Sequence, residues 1–105
     1  VIVNAAGGLN AKDAAHDLAM ALALVSAKHD RALPPKLVAF AEVGLGGELR
    51  PVPHVELRLK EAARLWFTQA IVAKSKSLNK INIKNLELLP AEDVQEALRF
   101  AKLTS

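Results

Sequence analysis

The chain has 105 residues, enough for one compact domain and not for two. Its residues are 51% hydrophobic, but three Phe, one Trp and no Tyr leave the core to Leu, Val, Ile and Ala. The net charge of +3 is mildly basic, the absence of Cys excludes disulfides and thiolate metal sites, and no apolar run reaches the roughly 20 residues that span a bilayer.

The first predicted elements are a strand over residues 1–5, a turn at Gly7 and Gly8, and a helix. The chain begins inside a strand, without Met and without a basic leader, so we expect a fragment of a longer protein with no signal peptide. Asp13 can cap the helix, which runs to about Lys28. Its apolar positions cover most of the circumference and predict a central helix covered on several sides. They are Ala15, Leu18, Ala19, Ala21, Leu22, Leu24 and Val25.

Residues 37–53 read as a strand, a glycine-rich turn and a second short strand. Pro34 and Pro35 end the preceding helix, because proline cannot continue one. Pro51 and Pro53 end the strand pairing, because proline lacks the backbone donor.

An amphipathic helix is predicted from Val55 to about Trp66, with Glu56 and Lys60 forming an i,i+4 pair. A short strand centred on Ile71 and Val72 follows. The apolar stripe of the helix is Val55, Leu59, Ala62, Ala63 and Trp66.

Residues 74–84, here called the lysine loop, carry four lysines and no acid. Residues 86–105 carry four acids and two bases, for a net charge of −2. A basic loop beside an acidic end is either a contact for a polyanion or a solvated loop. Both interpretations stay open on the sequence.

The pattern of Ile81, Ile83, Leu86 and Leu88 predicts a strand with a slip near Asn85. A last helix follows, with Pro90 in its first turn, Glu92 and Asp93 at its positive end, and Arg99 and Lys102 at its negative end. The element order predicts an α/β fold, an α+β sandwich of about three helices on a mixed sheet, in a single domain over residues 1–105. The apolar stripe of the last helix is Val94, Ala97, Leu98 and Ala101.

No complete catalytic or metal-binding set is found in the chain. "GGLNAKD" lacks the GK[ST] ending of a phosphate-binding loop, and "VGLGGE" is not followed by the helix of a dinucleotide fingerprint. Asp13 and Asp17 share a helix face, but two carboxylates alone make a weak metal site. Ser26 has no evident base. His16, His29 and His54 lack the spacing of a metal site.

Two segments resemble the C-terminal Lon-protease-like domain of the bacterial RadA (Sms) DNA-repair proteins. They are "NAAGGLNAKDAAHDLAMALALVSAKHDRALPPKLVAFAEVGLGGELRPVP" and "RLKEAARLWFTQAIVAK". The family pattern contains a V-G-G turn, F-G-E-V-G-L-x-G-E-x-R-P-V, R-L-K-E-A-A and A-I-V-P-K. The resemblance covers roughly residues 1–74 and implies the fold of the Lon proteolytic domain, which is like domain 2 of ribosomal protein S5.

The resemblance also implies where a Ser-Lys dyad of Lon would fall. The serine position corresponds to Ala15, and the lysine position to Glu56, or to Leu57 in the alternative alignment. Neither dyad member is present, so the resemblance implies a protease fold without protease chemistry. Three positions depart from the family pattern: Ala41 stands where glycine is usual, Trp66 where the family often has glycine, and Ala73 where it has proline.

As the resemblance implies, we expect a scaffold and DNA-contact domain in a cytoplasmic, hexamer-forming, DNA-dependent ATPase. Such a protein supports RecA by promoting branch migration on single-stranded or branched DNA. We expect no cofactor in this domain and no membrane contact; ATP, Mg and Zn would belong to upstream domains. The alternatives are a Lon-related serine peptidase and an oligomerisation module without DNA contact. The candidate DNA-binding residues are Lys28, Arg31, Lys36, Arg58, Lys60, Arg64, Lys74, Lys76, Lys80 and Lys84.

Overall fold

The computed structural model describes residues 14–103 of the chain. The predicted strand over residues 1–5, the turn at Gly7 and Gly8 and the cap at Asp13 lie outside this part. The helices are α1 (Asp17–Lys28), α2 (Val55–Arg64) and α3 (Val94–Phe100), and short 3-10 turns cover Ala14–His16 and Lys76–Lys80. The strands are β1 (Leu37–Phe40), β2 (Glu42–Val43), β3 (Leu49–Arg50), β4 (Gln69–Ala73) and β5 (Glu87–Ala91).

The main sheet has three parallel strands in the order β1-β4-β5. In its register, Val38 lies beside Ala70, which lies beside Leu88 on the other side. A separate two-stranded antiparallel sheet is formed by β2 and β3. The predicted α/β fold is therefore confirmed, with the antiparallel part confined to a small hairpin.

Helices cover both faces of the main sheet. On one face, α1 and α3 place Leu18, Leu22 and Leu98 against Leu37 and Ile71. On the other face, Leu59 of α2 and residues of the lysine loop pack against Ala70 and Val72. β4 is therefore buried on both faces, because it is the middle strand of a covered parallel sheet. The lysine-loop residues in this core are Leu78, Ile81 and Ile83.

All three helices run back against the direction of the strands. The Leu18 amide donates to the Ala41 carbonyl at 3.1 Å, which places the start of α1 beside the end of β1. The Leu49 amide donates to Glu92, so β3 and the chain leading into α2 also lie where the strands end. We call this the carboxyl edge and the opposite side, where β1, β4 and β5 begin, the amino edge. The helices therefore end at the amino edge.

The glycine-rich turn between β2 and β3 forms as predicted. Gly47 has a φ of 86°, in the left-handed region that glycine adopts readily. The Gly44 amide donates to the Glu48 carbonyl at 2.8 Å, which closes the hairpin. The strand predicted from residue 37 is interrupted at Ala41, because the Ala41 amide and carbonyl bond to Ala15 and Leu18.

The prediction that α1 is covered on several sides is wrong. Its buried face consists of Leu18, Ala19 and Leu22. Met20 is 49% exposed and Leu24 is 71% exposed, so one face of the helix is apolar and open. Apolar residues lie on almost every side of α1 in the sequence, so their pattern did not show which of them the rest of the fold covers.

The prediction that α2 continues to Trp66 is also wrong. The helix ends at Arg64, and the Phe67 amide donates to the Ala62 carbonyl at 3.1 Å across the helix end. Trp66 has a φ of 72° and a side chain that is 79% exposed. It therefore lies outside the apolar stripe, although its spacing from Ala62 and Ala63 fits a helix face.

The strand predicted from Ile81 to Leu88 begins only at Glu87, and Ile81 and Ile83 pack against the sheet from a coil segment. Asn85 has a φ of 66°, which ends the extended conformation before β5. Pro90 belongs to this edge strand, where its missing donor is tolerated, and not to the first turn of α3. The cap of α3 is Asp93, whose carboxylate accepts from the Glu96 amide at 2.8 Å.

Candidate nucleic-acid interface

The position matched to the serine of Lon is buried at the carboxyl edge. Ala15 is 1% exposed, and its carbonyl accepts from the Ala41 amide at 3.2 Å. A methyl group there packs under the turn into α1 and supplies no hydroxyl.

The two positions matched to the lysine of Lon lie in the first turn of α2. Glu56 forms an exposed ion pair with Lys60 at 3.5 Å. Leu57 is 68% exposed. Neither side chain has an ammonium group, so neither can act as the base that a serine nucleophile requires.

Ser26, the remaining hydroxyl of α1, lies at the other end of that helix. Its Oγ donates to the Arg31 carbonyl and helps the chain turn away from α1. Eleven residues of helical rise separate it from Ala15, about 16 Å along the axis. The hydroxyl of Ser26 is therefore far from the matched dyad positions.

The ten candidate cations do not form one patch. Lys74 and Lys76 lie just after β4 at the carboxyl edge, and Arg58 and Lys60 lie along α2. Lys80 lies in the 3-10 turn between the two edges. The remaining five lie at the amino edge, because they follow helix ends or precede strands: Lys28, Arg31, Lys36, Arg64 and Lys84.

Half of the candidates are held by contacts within the fold. Lys74 pairs with Glu92 at 3.3 Å, which ties the lysine loop to the acidic end of the chain. Arg58 donates to the Pro53 carbonyl at 3.0 Å. Arg31 donates to the Lys102 carbonyl at 3.4 Å, so the ends of α1 and α3 meet at the amino edge. Lys60 and Arg64 pair with Glu56 and Glu61.

The Arg64 pair has a clear electrostatic effect. Arg64 Nε donates to Glu61 Oε2 at 3.0 Å, and a second bond joins the same groups. These hydrogen bonds lower the pKa of Glu61 and raise the pKa of Arg64. Both side chains are exposed, so the pair mainly fixes the direction of the guanidinium.

Five candidate lysines form no ion pair with another residue of the described range 14–103. Lys28 is at the negative end of α1, where a cation is favourable for the helix itself. Lys36 and Lys84 precede β1 and β5 and have no such role in a helix. Both side chains are exposed, and neither stabilises the described part of the fold through an ion pair or a helix end. The other two are Lys76 and Lys80, in the lysine loop.

Sequence reasoning missed one residue of the amino edge, Trp66. It follows α2 directly and projects into solvent beside the start of β4. The resemblance to the RadA family implies a glycine at position 66, and glycine is typical of a backbone with positive φ, so this expectation was a signal for the turn. The apolar character of Trp66 instead placed it in the stripe of α2.

Among the described residues, an apolar groove and a smaller hollow lie away from Lys36 and Lys84, although Arg58 lines the groove and Lys74 and Lys76 line the hollow. The apolar groove, of about 520 Å³, lies beside α2, lined mainly by Phe40, Leu57, Leu65 and Phe67. The smaller hollow, of about 290 Å³, lies at the carboxyl edge, beside the lysine loop. Within residues 14–103, no group of three or more His, Asp or Glu side chains is arranged to hold a metal ion. In the same range, no helix has the length and apolarity needed to cross a membrane.

A family model described as "Subunit ChlI of Mg-chelatase" matches residues 1–76, close to three quarters of the chain. The chain belongs to the ChlI family. The match covers the dyad positions, α1, the hairpin, α2 and β4.

Within this family the chain is similar to DNA repair proteins called RadA. It is 46% identical to RadA of Aquifex aeolicus over 93% of the chain, and 43% identical to RadA of Synechocystis over 94%. It is 51% identical to RadA of Escherichia coli over 69% of the chain. These matches and the ChlI model confirm the resemblance to the C-terminal Lon-like domain of RadA. The chain spans only about a fifth of the length of these relatives.

Proposed function

We propose that this chain is a non-proteolytic scaffold and DNA-contact domain of a RadA-like DNA repair protein. The observation that carries the proposal is the amino edge, where Lys36 and Lys84 are exposed and without an ion pair in the described range. The similarity to RadA proteins supports the role in DNA repair.

Exposed lysines that form no ion pair within the fold are suited to phosphate contacts. The main-chain bond from Thr68 to Lys36 and that from Glu87 to Thr68 are 3.0 and 2.9 Å long. They hold the starts of all three strands side by side, so Lys36 and the chain after Lys84 lie on one rigid edge. Contacts of this kind position a duplex or a strand and carry no sequence information.

DNA binding should fall steeply with salt, because each phosphate contact releases condensed counterions. We expect the chain to bind a labelled oligonucleotide at low salt, measured by fluorescence anisotropy between low and moderate salt. The double variant Lys36→Gln/Lys84→Gln should bind more weakly and lower the logarithmic salt slope by about 0.7 to 0.9 for each lost contact. Lys60→Gln is the matched control, since Lys60 is paired with Glu56.

An absence of binding at low salt, or binding that is indifferent to salt, would contradict the DNA part of the proposal. Equal losses in the double variant and in Lys60→Gln would show that the contact is not localised to the amino edge.

The non-proteolytic part rests on side-chain chemistry at the matched positions. Ala15 has no nucleophile, and Glu56 and Leu57 have no basic amine. We expect no cleavage of labelled casein. Cleavage that disappears in Ser26→Ala would instead support the Lon-related peptidase.

In the whole protein we propose that this domain supports a hexameric ring. Its partners would be RecA and single-stranded or branched DNA in the cytoplasm, and ATP, Mg and Zn would be held by upstream domains. The open apolar face of α1, with Met20 and Leu24, is suited to a subunit contact. Sedimentation of the chain with and without DNA tests this idea, and Leu24→Glu should reduce assembly. Rings that form while amino-edge variants leave all DNA measurements unchanged would favour the oligomerisation module without DNA contact.

A further inference from the structure

We propose that Trp66 is a stacking platform for the bases of single-stranded DNA, with Lys36 and Lys84 holding the adjacent phosphates. This inference rests on the proposed DNA contact and adds the form of DNA and the residue that recognises it.

The first observation is the way in which Trp66 is displayed. The indole is 79% exposed, and the residue has a φ of 72°, which side chains with a β-carbon rarely adopt. The Trp66 amide donates to the Ala63 carbonyl at 3.1 Å, and the next amide, of Phe67, donates to Ala62. The large apolar ring therefore stands in water on a backbone that hydrogen bonds fix on both sides.

The position of Trp66 has no explanation in the packing of this domain. Leu65 and Phe67, its neighbours in the chain, both line the apolar groove beside α2, whereas Trp66 does not. Strained backbone conformations concentrate at binding sites, where the surrounding structure maintains them.

The second observation is the set of cations around this residue. Thr68, two residues after Trp66, is bonded through its amide to Lys36 and through its carbonyl to Glu87. Lys84 is three residues before Glu87, on the turn that the Leu86 amide closes on Ile83 at 3.2 Å. The ring thus stands on an edge with an unpaired lysine on each of the two neighbouring strand connections.

The balance of charge favours a polyanion over a protein partner. Among the described residues, six cations and three carboxylates lie at the amino edge, and Glu61 is paired with Arg64, so five cations face two carboxylates. The cations are Lys28, Arg31, Lys36, Arg64, Lys84 and Lys102, and the other carboxylates are Asp30 and Glu87.

An aromatic ring beside cations binds single strands through general chemistry. Every base has a π face that can stack on an indole, while lysines track the phosphates, so such sites tolerate any sequence. A duplex cannot use the ring in this way, because its bases are already stacked and paired. The site is therefore expected to prefer a single strand over a duplex of equal charge.

The experiment uses Trp66 as its own probe, because it is the only tryptophan in the chain. Oligo(dT) should quench its fluorescence, whereas a strand of equal length made of abasic residues should bind by charge and quench little. Anisotropy of labelled strands should show oligo(dT) affinity about 5- to 100-fold lower for Trp66→Leu, as expected for one lost stacking contact. Affinity for the abasic strand should not change, and Trp66→Phe should retain most of the oligo(dT) affinity.

Leu57→Ala is the control, since Leu57 is similarly exposed on α2 but belongs to the apolar groove. Circular dichroism verifies that each variant is folded. If labelled DNA binds but the fluorescence of Trp66 is unchanged and Trp66→Leu binds normally, the stacking proposal is overturned while the DNA contact stands. If no DNA binds, both proposals fail. If Trp66→Leu weakens self-association in sedimentation and leaves DNA affinity unchanged, Trp66 belongs to a protein interface and the stacking proposal is overturned.

Discussion

At the scale of single residues, positive φ angles mark the places where the chain leaves its helices and strands. Within residues 14–103, five residues other than glycine have positive φ, and each lies at the end of an element or in a connection: Asp30, His54, Trp66, Asn85 and Lys102. Asp and Asn tolerate this region through local hydrogen bonds, whereas tryptophan does not. The glycine that the resemblance implies at position 66 would fit the positive φ of the turn after α2.

Trp66→Gly should therefore stabilise the fold. The left-handed conformation costs a residue with a β-carbon about 1 to 2 kcal/mol, and the extra freedom of glycine in the unfolded chain offsets about 0.5 to 1 kcal/mol. We expect the free energy of unfolding to rise by about 0.5 to 1 kcal/mol in urea denaturation followed by circular dichroism. Leu65→Gly is the matched control, since Leu65 has a φ of −89° and should lose stability. A loss of stability in both variants would contradict this account of Trp66.

The Glu61–Arg64 pair predicts a pH effect at one carboxyl. Its hydrogen bonds to Arg64 lower the pKa of Glu61 below the ordinary value of 4.5. Because the pKa of Glu61 is lower in the folded chain, the pair stabilises the fold fully at a pH above the pKa of the unfolded chain. This stabilisation is lost as the pH falls through the pKa of the folded chain. In Arg64→Gln the pKa of Glu61 should rise towards 4.5, measured by NMR titration of the carboxyl carbon. Lys60→Gln, which removes the partner of Glu56, should leave the pKa of Glu61 below 4.5. The same titration midpoint for Glu61 in both variants would show that Arg64 is not the cause of the lowered pKa.

At the scale of elements, a side-chain cap decides where α3 starts. Asp93 accepts from the Glu96 amide at 2.8 Å, and the Glu96 carboxylate accepts from the Glu92 amide at 2.8 Å. These reciprocal bonds satisfy donors at the junction of β5 and α3. Pro90, one turn earlier, is then free to remain in the edge strand.

Asp93→Ala should lower the free energy of unfolding by about 1 kcal/mol, because it leaves a helix donor without its acceptor. Asp93→Asn keeps an oxygen acceptor and should lose much less. Thermal unfolding followed at 222 nm measures both variants. Equal losses would mean that the charge of Asp93, and not its hydrogen bond, stabilises α3.

At the scale of the whole molecule, the middle strand β4 joins two cores. Leu22 of α1 is fully buried on one face of the sheet, and Leu59 of α2 is fully buried on the other. Ile71 and Val72, adjacent in β4, face the two cores in turn. The two layers therefore share one element and should unfold together.

Leu22→Ala and Leu59→Ala should each cost about 2 to 5 kcal/mol, because both remove buried methyl groups and leave a cavity. In each variant, NMR signals of α1 and of α2 should report the same unfolding midpoint, as in two-state unfolding. Met20→Ala, on the open face of α1, should cost much less. Separate midpoints for the two probes would show that the layers unfold independently.

The sequence by itself determined the number and type of most elements and the family. Local signals were sufficient for these features: the stripe of α3, the prolines after β3 and the glycine turn at Gly47 act over a few residues. It also contained every cation of the candidate interface. It did not distinguish Lys36 and Lys84 from the paired Lys60, because pairing depends on which side chains the fold brings together.

Only the tertiary structure decided which apolar residues are covered and which cations share an edge. Trp66 and Leu59 both fit one helical stripe, yet the turn after Arg64 exposes the first and the sheet buries the second. The parallel order β1-β4-β5 places Lys36 and Lys84 at one end, although 47 residues of chain separate them. Burial and long-range proximity are properties of the packed sheet, and a residue's chain neighbours do not specify them.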